Sequence, residues 1–122
     1  MTNTQAQELT NYLREFFQEL FNNVPHLVDY ESRQESKATS LIAENFMFYG
    51  YVAISKVLRN RDGWQQYVQL INQLDLNKES EIWFGIVTKR GRNGISISNS
   101  TDSRAYFIEK ITEQFEALIE NQ

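Results

Sequence analysis

Cysteine is absent from this 122-residue chain, proline occurs once and histidine once. Without cysteine there is no disulfide scaffold, no thiolate zinc site and no cysteine nucleophile. That composition suits a reducing cytoplasm, where the chain is expected to work. His26, alone and next to Pro25, has no second histidine or cysteine with which to hold a metal. As a general base it would need a positioned partner. Long apolar runs are also missing. A membrane-spanning helix needs roughly 20 apolar residues. The longest candidate, Phe46 to Leu58, is shorter and contains Ser55 and Lys56. Met1 to Glu8 is polar, so no secretory signal is expected. Asn99-Ser100-Thr101 is formally a glycosylation acceptor and is read as a loop. There is no phosphate-cradling glycine loop, dinucleotide fingerprint, nucleophile elbow or zinc-protease motif. No catalytic residue, metal or cofactor is therefore assigned.

What the chain does have is aromatic mass: eight Phe, six Tyr and two Trp, within an apolar share of 41%. A chain of this size can bury one core without a covalent or metal staple. Residues 1–122 are read as a single helical domain, with no internal repeat or low-complexity stretch.

A first helix is predicted from about Thr4 to Asn22. Leu9, Leu13, Phe16 and Leu20 recur on one face with Phe17 and Phe21 beside them, and Pro25 follows its end. Ser32-Arg33-Gln34-Glu35 reads as a capping box opening a second helix that continues to about Asn60. From Leu41 to Leu58 that helix is apolar nearly all round, which predicts the buried centre of the fold. Gly50 in its middle implies close approach by another helix. Asp62 is expected to cap a third, short helix from Gly63 to Leu74, buried through Trp64, Tyr67, Val68 and Ile71. The period then changes. Ile82, Phe84 and Ile86 alternate with their neighbours, as do Ile95 and Ile97, around Lys89-Arg90-Gly91-Arg92-Asn93-Gly94, which predicts a hairpin. A last helix, capped by Asp102, should run to about Glu120 with Ile108, Ile111, Phe115 and Leu118 inward. The expected architecture is mostly α, a compact bundle of about four helices around a central buried one, with a small β-hairpin near 82–98.

The formal charge is −4, which argues against a dedicated nucleic-acid binder. The charge is uneven, and residues 56–92 hold seven basic and four acidic side chains. Lys56, Arg59 and Arg61 end the central helix; Lys89, Arg90 and Arg92 sit on the hairpin tip. If tip and helix end meet, the six form one patch suited to phosphate or an acidic protein surface. If they do not, they are helix-end cations and a solvated turn. Glu109, Glu113, Glu116 and Glu120, at spacings of four, three and four, read as a solvated helix face. Trp64 and Trp83 sit in apolar patterns and are read as core rather than as binding platforms.

A series of landmarks gives the chain a family likeness. Tyr12-Leu13-Arg14-Glu15-Phe16-Phe17 leads to Val24-Pro25, and Phe48-Tyr49-Gly50-Tyr51-Val52 follows. Trp64-Gln65-Gln66-Tyr67 precedes Ile71-Asn72-Gln73-Leu74-Asp75-Leu76, and Ile82-Trp83-Phe84-Gly85 precedes the glycine-containing stretch Gly91 to Ser98. In this order they resemble the C-terminal region of DGQHR-domain proteins, which include the DndB-type regulators found with DNA phosphorothioation systems. The Asp-Gly-Gln-His-Arg motif of that group is not in this chain; Asp62-Gly63-Trp64-Gln65-Gln66 lacks its His and Arg, so no role transfers to it. The resemblance implies a DNA-modification setting and no activity of the chain's own. The expected function is a non-enzymatic accessory module acting by protein docking or self-association. The alternative is weak nucleic-acid or nucleotide binding through the basic residues.

Overall fold

The computed structural model describes residues 2–92 and 94–122. Met1, at the polar start, and Asn93, in the expected hairpin loop, lie outside the described residues. Among the described residues there are four α-helices and one two-stranded antiparallel sheet, with α1 at Asn3–Asn23, α2 at Tyr30–Lys37, α3 at Phe48–Leu58 and α4 at Thr101–Glu120. A 3₁₀ helix, Trp64–Gln73, lies between α3 and the sheet, and short 3₁₀ turns occupy Pro25–Leu27 and Asn45–Met47.

Helix α1 opens on a capping box between Thr2 and Gln5 and ends at Val24, before Pro25, as the sequence pattern requires. Phe16 and Leu20 are buried, Phe17 is half-buried and Phe21 is exposed.

The second helix departs from expectation. Asp29, not Ser32, is the N-cap, its carboxylate accepting from the Ser32 N–H at 3.0 Å. The helix stops at Lys37 because the following backbone finds partners elsewhere. Leu41 N–H donates to the Leu76 carbonyl at 2.8 Å, and Lys78 N–H donates to the Thr39 carbonyl at 2.8 Å. Those pairings replace the i−4 bonds a continuous helix would make. Leu41, Ile42 and Ala43 are buried in this non-helical crossing.

Helix α3 therefore has only eleven residues. Its inner face, through Tyr51, Ile54 and Leu58, is core, but Phe48 is 57% exposed and Tyr49, Val52 and Val57 are half-buried. Gly50 does mark a close approach: a Cβ there would stand 3.1 Å from the Phe107 ring of α4.

The 3₁₀ helix is long for its kind. Its apolar residues recur at intervals of three, Trp64–Tyr67–Leu70 and Val68–Ile71–Leu74, matching three residues per turn. Gly63 enters it with φ 66°, and Asp62 makes no capping bond.

The hairpin is present but displaced. Strand β1 is Thr88–Gly91 and β2 is Gly94–Ile97, with Thr88 opposite Ile97 and Gly91 opposite Gly94. Ile82 to Val87 form turns, not a strand; the Trp83 carbonyl accepts from the N–H groups of Ile86, Val87 and Thr88. The alternating residues are not an inner face: Phe84 and Ile86 stay exposed, and Trp83 and Val87 are the buried ones.

Helix α4 is capped by Ser100, with Asp102 in its first turn. Phe107, Ile111, Phe115 and Ile119 face the core, and Ile108 points outward. Trp64 and Trp83 are both buried, as expected.

Candidate functional site

Helices α3 and α4 pack side by side and run in the same direction. At one end Phe46, just before α3, meets Phe107 at 4.9 Å between ring centroids, and the Arg104 guanidinium lies 5.5 Å from the Tyr49 ring. At the other end Lys56 and Val57 share a groove with Thr112 and Glu116. That groove, about 590 Å³, has an apolar floor of Phe48, Val52, Ala53 and Ile108. A second groove, about 720 Å³, lies between α1 and α3 and is lined by Phe17, Phe21, Leu27, Phe48, Tyr49 and others. Phe48 and Tyr49 border both grooves. Phe48 stacks on Phe17 with ring planes 4° apart and centroids at 6.2 Å. Three helices thus present one aromatic outer face, with Phe21, Phe48 and Ile108 exposed upon it. Its signal in the sequence was the all-round apolarity of residues 48–58: with one side turned to the core, the rest must face outward or meet another chain.

The six basic residues fall on two elements. Lys56, Arg59 and Arg61 lie at the C-terminal end of α3. Lys89, Arg90 and Arg92 lie on the hairpin, which leads through Ser98–Ser100 into the N-terminus of α4. Ile97 and Asn99 border Phe46 and Tyr49, so the hairpin base stands at the N-terminal end of α3. Eleven helical residues, about 15 Å, separate the ends. Arg90 reaches Glu79 at 3.6 Å. Arg59 and Arg61 border a hollow of about 550 Å³ with Glu8, Tyr12, Asp62 and Trp64. Between the two groups the chain passes through the 3₁₀ helix and the turns before β1.

Tyr12 donates its hydroxyl to the Ser55 carbonyl at 2.5 Å, and burial pushes its pKa up to about 12, with the Arg59 guanidinium offsetting part. Tyr51, donating to the Ile42 carbonyl at 2.6 Å, is raised further by burial. Both folded-state pKa values lie above the ordinary tyrosine value. The stability these neutral phenols contribute is complete below about pH 10 and is lost as pH rises through the folded values. Melting temperature should therefore fall between about pH 10 and 12, and less steeply in Tyr51→Phe than in the unaltered chain. Equal slopes would show that Tyr51 ionisation is not linked to unfolding.

His26 accepts or donates one hydrogen bond, to the Ser32 hydroxyl at 2.7 Å. No carboxylate bonds the imidazole among the described residues, and no three His, Cys, Asp or Glu gather there as a metal would need. Glu109, Glu113, Glu116 and Glu120 are exposed, Glu113 pairing with Lys110 at 3.4 Å. Among the described residues no helix is long and apolar enough to cross a membrane.

The residue that sequence reading overlooked is Lys78. It is buried, donating to the Lys37 carbonyl at 2.5 Å and to Glu44 Oε1 at 2.8 Å. Nothing in the local pattern marks it, because its partners are 34 and 41 residues away.

No curated protein and no solved structure matches the chain. The family described as DndB, DNA-sulfur modification-associated, matches residues 1–118. That match spans nearly every element of the fold, from α1 through most of α4, and with it the chain belongs to the DndB family.

Proposed function

We propose that this chain is a non-enzymatic accessory module of a DNA sulfur-modification system. It works in the cytoplasm by docking on a protein partner or on a second copy of itself, through the outer face of α1, α3 and α4. The family membership supplies the setting. The observation that carries the docking role is Phe48, 57% exposed where two apolar grooves meet. Beyond its stack on Phe17 the exposed part of this ring adds nothing to the isolated fold, and contiguous apolar surface of this kind marks interaction sites.

Phe48→Ser tests the reading. Phe48 is mostly exposed, so the stability cost should be about that of its stack on Phe17, roughly 0.5–1.5 kcal/mol, and is read from melting of the same protein. Placed in the native host, the variant should change the sulfur content of DNA in the same direction as deletion of the whole chain, read by mass spectrometry of digested DNA. Unchanged sulfur in Phe48→Ser beside an altered deletion strain would remove the face from the function. Sedimentation of both proteins across a concentration series then separates a second copy from another partner. A second reading, weak nucleic-acid or nucleotide binding, rests on Arg59 and Arg61 beside Trp64.

A further inference from the structure

The groove between α3 and α4 has a charged side that narrows what can occupy it. Its floor follows α3 from Phe48 through Val52 to Val57, ten residues and about 14 Å of helix. Ile108 and Thr112 form the α4 lip, and Glu116 continues it. Beyond this lip, on the same flank of α4, stand Glu109, Glu113 and Glu120. Among the described residues Glu109, Glu116 and Glu120 have no cation within ion-pair distance, and only Glu113 is shared with Lys110. Among the described residues the one cation lining the groove is Lys56, on the α3 side. The result is an apolar trough about three helical turns long with a row of carboxylates along one edge.

We infer that this groove receives an amphipathic helix of another protein, with an apolar stripe and lysine or arginine along the flank that meets α4. This deepens the docking reading above and rests on it. A straight apolar trough of this length suits a helix laid along it, read through residues spaced by three and four. The carboxylate row sets the orientation and the sign of the partner, since complementary charge favours the right partner and like charge repels the wrong one. The same row disfavours a second copy in this groove. A twofold packing about the α4 lip would bring two rows of glutamates together. The chain's other long helix is no better matched, because α1 carries Glu8, Glu15 and Glu19 against a single Arg14.

The test uses the full chain and two helix-stabilised, fluorescein-labelled peptides of about 14 residues, four turns long. They share one leucine stripe and differ only in the flank, lysine in one and glutamate in the other. Binding is followed by fluorescence anisotropy. The lysine peptide should bind at least about tenfold more tightly than the glutamate peptide, and the difference should shrink in high salt. Phe48→Ser should weaken the lysine peptide by about tenfold, as loss of a buried aromatic anchor does. The triple change Glu109→Gln, Glu116→Gln, Glu120→Gln should bring the two peptides close together in affinity without altering melting. Equal binding of both peptides to the unaltered chain would overturn the charge assignment. So would a lysine peptide indifferent to both variants. If neither peptide binds while sedimentation shows association lost in Phe48→Ser, the occupant is a second copy; this inference falls and the docking reading stands. If the peptides do not bind and Phe48→Ser leaves association and DNA sulfur unchanged, both fall.

Discussion

Replacing Trp83 with alanine is expected to lower the unfolding free energy by about 4 kcal/mol, within the range for large aromatic deletions from a core. Trp83 is fully buried. Its ring lies 5.1 Å from Phe107 and 6.4 Å from Tyr106, and its indole N–H donates to the Asp75 carbonyl at 2.7 Å. The backbone carbonyl of the same residue gathers the turn before β1, so the ring fixes the hairpin to α4 as well as filling the core. A domain of this size is held by about 5–15 kcal/mol in all, so the loss takes a large part of it. Trp83→Phe should cost about 1–2 kcal/mol, keeping much of the ring but leaving the Asp75 carbonyl without its donor. Urea unfolding of the three proteins measures both. A Trp83→Ala cost below that of Trp83→Phe would mean the ring is not core.

The second large effect is expected at Lys78. Lys78→Met should destabilise by about 3 kcal/mol, since removing one member of a buried pair strands the other. The stranded groups are the Lys37 carbonyl and Glu44, whose side chain retains 22% exposure and so recovers some hydration. The double variant Lys78→Met, Glu44→Leu should recover a good part of that loss, because exchanging both partners for apolar groups is often near neutral. Urea midpoints for the two singles and the double give the coupling directly. Additive losses would show that Lys78 and Glu44 do not act as a pair.

These two residues show where local reasoning reached and where it stopped. Trp83 was read as core because apolar neighbours surround it in the chain. The ends of α1, the close approach at Gly50 and the last helix were legible for similar reasons: proline, glycine and spacing act within a few residues. Lys78 was not legible. Its burial depends on the crossing at Thr39–Leu41, and that crossing exists only because Leu76–Lys78 arrive from far along the chain. The same crossing interrupts what a local pattern reads as one long helix from Ser32. The hairpin is expected too early because Ile82, Phe84 and Ile86 alternate as a strand's inner face would, whereas here they lie on turns with Phe84 and Ile86 exposed and Trp83 buried between them. At the candidate site, the apolarity of residues 48–58 was visible, but not which side would be left uncovered. The six basic residues were legible as two groups, one at the end of α3 and one on the hairpin.

The 3₁₀ helix from Trp64 to Gln73 acts as a spacer of fixed length. A 3₁₀ helix advances about 2.0 Å per residue where an α-helix advances about 1.5 Å, so ten residues reach about 20 Å instead of 15. Both ends of this spacer are tied to α1: Gln65 to Glu15 at 2.9 Å, and Asn72 to the Asn23 carbonyl at 2.9 Å. Just beyond it, the Asp75 N–H is held by Gln114 of α4 at 2.9 Å. Relaxation into an α-helix would bring Gln65 and Asn72, the two tied residues, closer by about 3.5 Å. With both ends pinned to α1 and the next residues to α4, the length of this segment sets where the chain leaves α1 for the turns before β1.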